Sequence, residues 1–139
     1  MSQPSVSITP AEIAYGFRRT IPTSYAQAVA RARAALQKEG FGVLFEIDMK
    51  EKLKEKLNVD FQPYVILGAC HPSTAYQVLQ EEIDLGLLLP CNVIVYEQGG
   101  QSVVAAIDAA KMMTVVGNPK LKTQAALINE KLQRVIENL

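Results

Sequence analysis

The sequence predicts an α+β domain, with a curved, mainly antiparallel sheet of about five strands and helices packed on one face. Three features lead there. Residues 92–97 and 102–107 are β-prone stretches flanking Gln98-Gly99-Gly100-Gln101, and a Gly-Gly pair adopts the positive φ angles that a tight hairpin turn needs. Leu121, Ala125, Ile128, Leu132, Val135 and Leu139 recur at spacings of 4, 3, 4, 3 and 4, the pattern of one long amphipathic helix. Ahead of the hairpin, strand-like and helix-like stretches alternate, which gives the order β-α-β-α-β-α-β-β-α.

Residues 1–12, rich in Ser, Pro and Thr, read as a flexible lead-in, and residues 13–139 as a single domain. Tyr15, Phe17 and Ile21 suggest a first strand over residues 14–21, stopped by Pro22. Ser24 with Gln27 three residues on forms a capping box before the stripe Tyr25, Val29, Ala32, Leu36, and Gly40 closes that helix. Phe41, Val43, Phe45 and Ile47 alternate along a second strand, which places this aromatic face toward the core and Leu44 on the opposite face. Asp48 and Glu51 then cap a short helix with Met49, Leu53 and Leu57 as its buried positions, ended by Asn58. A third strand runs from Pro63 to Cys70. Pro72 opens the next helix, which ends near Glu82.

Composition narrows the function. The chain has 139 residues, 49% of them hydrophobic, with 14 basic and 14 acidic side chains, enough for a core without disulfides or a structural metal. Zero net charge and no basic arm argue against a nucleic-acid partner. The longest apolar run, residues 85–89, is far short of the roughly 20 residues that cross a bilayer. The N-terminal residues lack the charged and apolar regions of a secretory signal, so the expectation is a cytoplasmic protein with two reduced cysteines.

Four segments carry a family resemblance: Glu39-Gly40-Phe41-Gly42-Val43-Leu44, Leu67-Gly68-Ala69-Cys70-His71-Pro72, Leu87-Leu88-Leu89-Pro90-Cys91-Asn92-Val93 and Val116-Gly117-Asn118-Pro119. In their order and spacing the chain resembles domain-of-unknown-function family 302 of bacteria and archaea, from about Ile13 to Leu139. The resemblance implies a compact α+β domain with a curved antiparallel sheet, a homodimer, and no agreed activity. His71 stands where that family commonly has Asn between Cys and Pro.

Both cysteines and the one histidine fall in a segment with a distinctive charge. From Leu57 to Ala110 there is no Lys or Arg, while six acidic residues give minus six, balanced by plus six elsewhere. A groove built there would repel phosphates and carboxylates and tolerate a cation; equally, core strands and a hairpin leave little room for lysine. Cys70 and His71 lie where a strand meets a helix N-terminus, whose free N–H groups favour a thiolate at Cys70. Cys91, on an apolar strand, is expected to be held protonated by burial. If the two strands are antiparallel neighbours, the sulfurs come close.

Cys70, His71 and Cys91, completed by a carboxylate or water, would suit a soft or borderline metal such as Zn, Cu(I) or Fe, although the spacing matches no zinc motif. Asn92 could orient a neighbouring group. The resulting expectation is a binding or accessory protein that handles a thiol, a reactive sulfur species or a soft metal at Cys70, His71, Cys91 and Asn92; an enzyme with Cys70 as nucleophile and His71 as base ranks last, because adjacent residues rarely point at each other. The alternative is a homodimeric interaction domain with structural cysteines, since free Cys is also a common buried residue. The last helix offers no ligand-type residue on its inward stripe. Apolar residues on both strand faces, Leu44, Ile94 and Tyr96 against Phe45 and Val95, point to a sheet buried twice and so to a dimer.

Overall fold

A computed structural model describes residues 11–139. Its order is β1 (Ala11–Ile13), β2 (Gly16–Ile21), α1 (Tyr25–Lys38), β3 (Gly42–Asp48), α2 (Met49–Leu57), β4 (Tyr64–Cys70), α3 (Pro72–Glu81), β5 (Cys91–Gln98), β6 (Gln101–Ile107), α4 (Ala109–Val116) and α5 (Lys122–Glu137). Two short 3-10 turns, Ile83–Leu88 and Pro119–Leu121, precede β5 and α5. The strands form one open antiparallel sheet ordered β1-β2-β6-β5-β4-β3. The lead-in expected over residues 1–12 lies largely outside the described residues, but Ala11 and Glu12 belong to β1, a three-residue edge strand that pairs with β2. Among the described residues no helix is long and apolar enough to cross a membrane.

Local chemistry explains the element ends. Ser24 Oγ accepts from Gln27 N at 3.2 Å and starts α1. At the other end Phe41 N donates to Leu36 O and Gly40 N to Gln37 O, the paired bonds of a Schellman motif, with Gly40 at φ +88°. Asp48 and Asp108 cap α2 and α4 through Glu51 N and Lys111 N. Gly99 and Gly100, both at positive φ, turn β5 into β6 as the hairpin pattern predicts.

Helices α1 and α5 cover one sheet face. Ala28, Ala32, Ala35 and Leu36 of α1 and Ile128, Leu132, Val135 and Ile136 of α5 are buried against Val65, Leu67, Val93, Val95 and Val104. The α5 periodicity thus faces inward, and each fully buried branched side chain contributes about 1.5–3 kcal/mol of transfer free energy. In contrast, α2 buries none of its residues, and Leu57 is 65% exposed. Its Met49 and Leu53 are half-buried, since α2 contacts mainly β3 and β4 at one side of the sheet, and Leu57 faces solvent.

One expected orientation is reversed. A bulge between Val43 and Phe45 leaves Leu44 unpaired, so Val43 faces Ala69 while Phe45 faces Gly68. Because strand side chains alternate, the extra residue moves Phe45 and Ile47 off the helix-covered face and Glu46 onto it. Glu46 there meets Arg33 of α1 at 3.0 Å. Phe45 instead lies over the bare backbone of Gly68, where an added Cβ would collide with the ring. Phe45 therefore shares a face with Ile94 and Tyr96, not the face opposite them. Tyr96 stacks on Tyr64 across β5 and β4 with centroids 5.5 Å apart.

The Phe45–Gly68 contact gives a direct test. Gly68→Ala should destabilise the protein by about 1–3 kcal/mol in urea unfolding, because the Cβ overpacks the ring. In a Phe45→Ala background the same change should be neutral or stabilising, since only glycine's poor strand behaviour is then removed. Additive effects of the two substitutions would mean that the ring does not cover Gly68.

Candidate functional site

The strand–helix junction after β4 and the start of β5 meet at one end of the sheet. Cys91 lies opposite Ala69, one residue before Cys70, so the antiparallel pairing that brings the two cysteines together is present. Both are free thiols and both line an apolar cavity of about 70 Å³. One wall is the main core, through Phe41, Ala69 and Ile128. The roof is a second apolar cluster, Val78, Leu85 and Leu121 with Leu88 and Met113, contributed by α3, the 83–88 turn, α4 and the 119–121 turn.

Polar contacts set that roof in place. Asn129 of α5 accepts from Ala109 N at 2.7 Å and donates to Asp108 Oδ1 at 2.8 Å, which pins the N-terminus of α4 to α5. Asn118 donates to Glu82 Oε1 at 3.1 Å and ties the α4–α5 connection to the end of α3. With α4 held at both ends, Met112 and Met113 project into the lining. Four sulfur side chains therefore border one cavity, whose lining contains no Asp, Glu, Lys or Arg.

Electrostatics keeps the site neutral. Burial, and then the neighbouring Cys70, push the Cys91 thiol up to about 11, so it stays protonated at neutral pH, as its apolar strand position predicts. His71 occupies the N-cap position of α3, yet its side chain makes no capping bond to the backbone. Its Nδ1 lies 2.8 Å from the hydroxyl of buried Thr74, its ring meets Phe41 edge-on at 5.5 Å, and its Nε2 edge lies against Gly40. Burial, and then Lys131 of α5, lower the His71 pKa below 6.5 and favour the neutral imidazole.

The expected four-residue pocket is thus partly assembled and partly corrected. Cys70, His71 and Cys91 all reach the cavity, whereas Asn92 does not. Asn92 pairs with Gly68 and is exposed on the other sheet face, the necessary result of alternation after the inward Cys91. The metal set of Cys70, His71 and Cys91 is not formed either: among the described residues no three His, Cys, Asp or Glu side chains come together as ligands would. The bond to Thr74 and the packing on Phe41 and Gly40 orient the histidine ring for other contacts.

Among the lining residues that sequence reasoning missed, three carry a sulfur or an amide. Met112 and Met113 fall in a short apolar stretch with no clear period, which became α4 only because Asp108 and Asn129 hold it. Gln124 had a visible signal: Leu121, Gln124, Ala125 and Ile128 follow the i, i+3, i+4, i+7 rule, so α5 does carry a polar residue on its inward face. Its Oε1 is shielded from water and accepts no hydrogen bond. An amide oxygen left so costs about 1–3 kcal/mol.

An open antiparallel sheet backed by two long helices, with a neutral cavity at one sheet end, defines a small α+β domain. The chain belongs to the DUF302 family, a domain of unknown function, which matches residues 17–139. The crystal structure of an uncharacterised conserved DUF302 protein from Bacillus stearothermophilus is similar, with a TM-score of 0.84 and 31% sequence identity. The match covers 91% of this chain and 98% of that one. No curated protein matches the chain.

Because the protein has a single histidine, its titration is unambiguous. The ring resonances should titrate in NMR with a midpoint below 6.5 and return toward 6.5 in denaturant. Lys131→Gln should raise the midpoint by less than unfolding does, because burial is the larger cause. A depressed folded-state pKa adds stability above about pH 6.5 that is lost as pH falls through the folded value, and His71→Asn should abolish that acid-side loss. A native midpoint at or above 6.5 would contradict the packing of His71 described here.

Proposed function

We propose that this protein is a small cytoplasmic binding or accessory domain that takes up a small neutral sulfur compound, a thiol or a reactive sulfur species, in the cavity at the end of β4 and β5. The observation that carries this reading is the lining: Cys70, Cys91, Met112 and Met113 border one apolar space that contains no charged side chain. Polarizable sulfur in an apolar wall favours soft, uncharged guests, and an ion would lose its hydration without a counter-charge. Binding rather than catalysis is favoured because Cys91 is held protonated and the His71 Nδ1 is engaged by Thr74, which leaves no oriented nucleophile–base pair.

Ethanethiol and ethanol separate this reading from purely structural cysteines. Ethanethiol should produce saturable NMR shifts at the methyl groups of Met112 and Met113, at least tenfold tighter than ethanol, whose hydroxyl is costlier to desolvate. Ala75→Leu, which fills the lining, should remove the response. If ethanethiol leaves those methyl groups unmoved, or ethanol binds equally well, the interaction-domain reading replaces this one.

The same proposal includes a homodimer. On the helix-free face, β3, β4 and β5 present Phe45, Ile47, Ile66, Ile94 and Tyr96 with no charged side chain, and Leu44 in the bulge is 65% exposed. A second copy laid over β3, β4 and β5 would cover apolar surface, with Arg18 of β2 at the margin of that face beside Tyr96. Sedimentation at micromolar concentration should report twice the 15.2 kDa chain mass, and Phe45→Glu should return it to the monomer. A wild-type monomer would overturn the dimer.

A further inference from the structure

Apart from the two thiols, His71 is the only titratable side chain in the cavity wall, and residues from separate stretches of the chain seat its ring. The Thr74 hydroxyl in the first turn of α3 lies 2.8 Å from Nδ1. Phe41, ahead of β3, meets the ring edge-on at 5.5 Å, and a Cβ on Gly40 would stand 3.2 Å from Nε2, so glycine leaves room for the imidazole. Thr74 and Phe41 also line the cavity. The contacts that seat the ring therefore shape the wall.

The charges around this seat disfavour a cation. Lys131 of α5 opposes an imidazolium, and Glu39, ahead of Gly40, is engaged by Arg134 of α5 at 3.0 Å. The wall itself supplies no carboxylate; its other ionisable groups are Cys70 and Cys91, the latter held protonated. A proton gained by His71 thus enters an apolar wall without a counter-charge.

We propose that His71 makes the hold of the cavity on its guest depend on pH: the neutral ring closes the wall around a small neutral sulfur compound, and the protonated ring releases it. This rests on the reading that the cavity takes such a compound. Two effects act in the same direction. A guest beside the ring displaces water that would solvate the imidazolium, so occupancy favours the neutral form. An imidazolium drawn toward solvent also gives up its seat on Thr74 and Phe41 and opens the wall. By linkage, the factor by which protonation weakens the guest is the factor by which the guest weakens proton binding at His71. Because burial and Lys131 hold the ring neutral to below pH 6.5, release falls in the acid range.

The single histidine lets this linkage be read in the wild-type chain. In NMR titrations, ethanethiol, which stays neutral over this range, should bind about three- to tenfold more weakly below the His71 midpoint than above it. Saturating ethanethiol should correspondingly lower that midpoint by about half to one unit. Lys131→Gln, which raises the midpoint, should move the loss of affinity to higher pH by the same amount, and His71→Asn should flatten the profile. Equal affinity on both sides of an unmoved midpoint, or a profile that persists in His71→Asn, overturns the pH-dependent hold and leaves the sulfur-binding reading intact. No saturable binding of ethanethiol above the midpoint overturns both.

Discussion

The pairing of β4 with β5, in which Ala69 faces Cys91, is the constraint from which the rest of the site follows. With that register set, pleating sends Val65, Leu67 and Ala69 and their partners Val93 and Val95 under α1 and α5, and sends Ile66, Gly68, Asn92 and Ile94 to the other side. It also brings the end of one cysteine-bearing strand to the beginning of the other. A shift of one residue would bury Asn92 without a partner and expose Cys91, so the hydrophobic pattern and the polar penalty enforce the same alignment.

The bulge at Leu44 shows how one residue redistributes chemistry across a sheet. Without it, Phe45 would lie under α1 and Glu46 would be on the bare face. With it, Glu46 meets Arg33, and burial together with Asp48 and Glu46 pushes the Tyr25 hydroxyl at the start of α1 up to about 12. Phe45 gains a seat only because Gly68 has no side chain. The outcome is an uncharged aromatic and aliphatic face beside an edge strand whose irregular backbone is a poor template for further strand pairing.

The cavity exists because two apolar clusters meet without interpenetrating. One is the sheet–helix core; the other is built by α3, the 83–88 turn and α4 around Leu85 and Leu121. The second cluster is small, and hydrogen bonds from Asn129 and Asn118 rather than packing area fix its position. Stability and site geometry are thereby separated, since Leu132, Val135 and Ile136 hold the fold while a few side-chain amides hold the roof.

The sequence by itself determined whatever depends on neighbours along the chain. Capping by Ser24 and Asp48, the Gly99-Gly100 hairpin, the long α5 stripe, the α+β class and the protonated state of Cys91 all follow from spacings of a few residues or from one residue's setting in an apolar strand. The junction of Cys70 and His71 with a helix opened by Pro72 was legible for the same reason. Tertiary structure alone decided the phase of β3 beyond Leu44, because a bulge is defined by the partner strand and leaves no mark in the bulged strand's own alternation. It likewise decided that α2 buries none of its residues and that Met112 and Met113 come to the same cavity as the two cysteines. Each of these is a relation between surfaces far apart in the chain. Periodicity shows which face of an element turns inward, but only the assembled packing shows what that face meets.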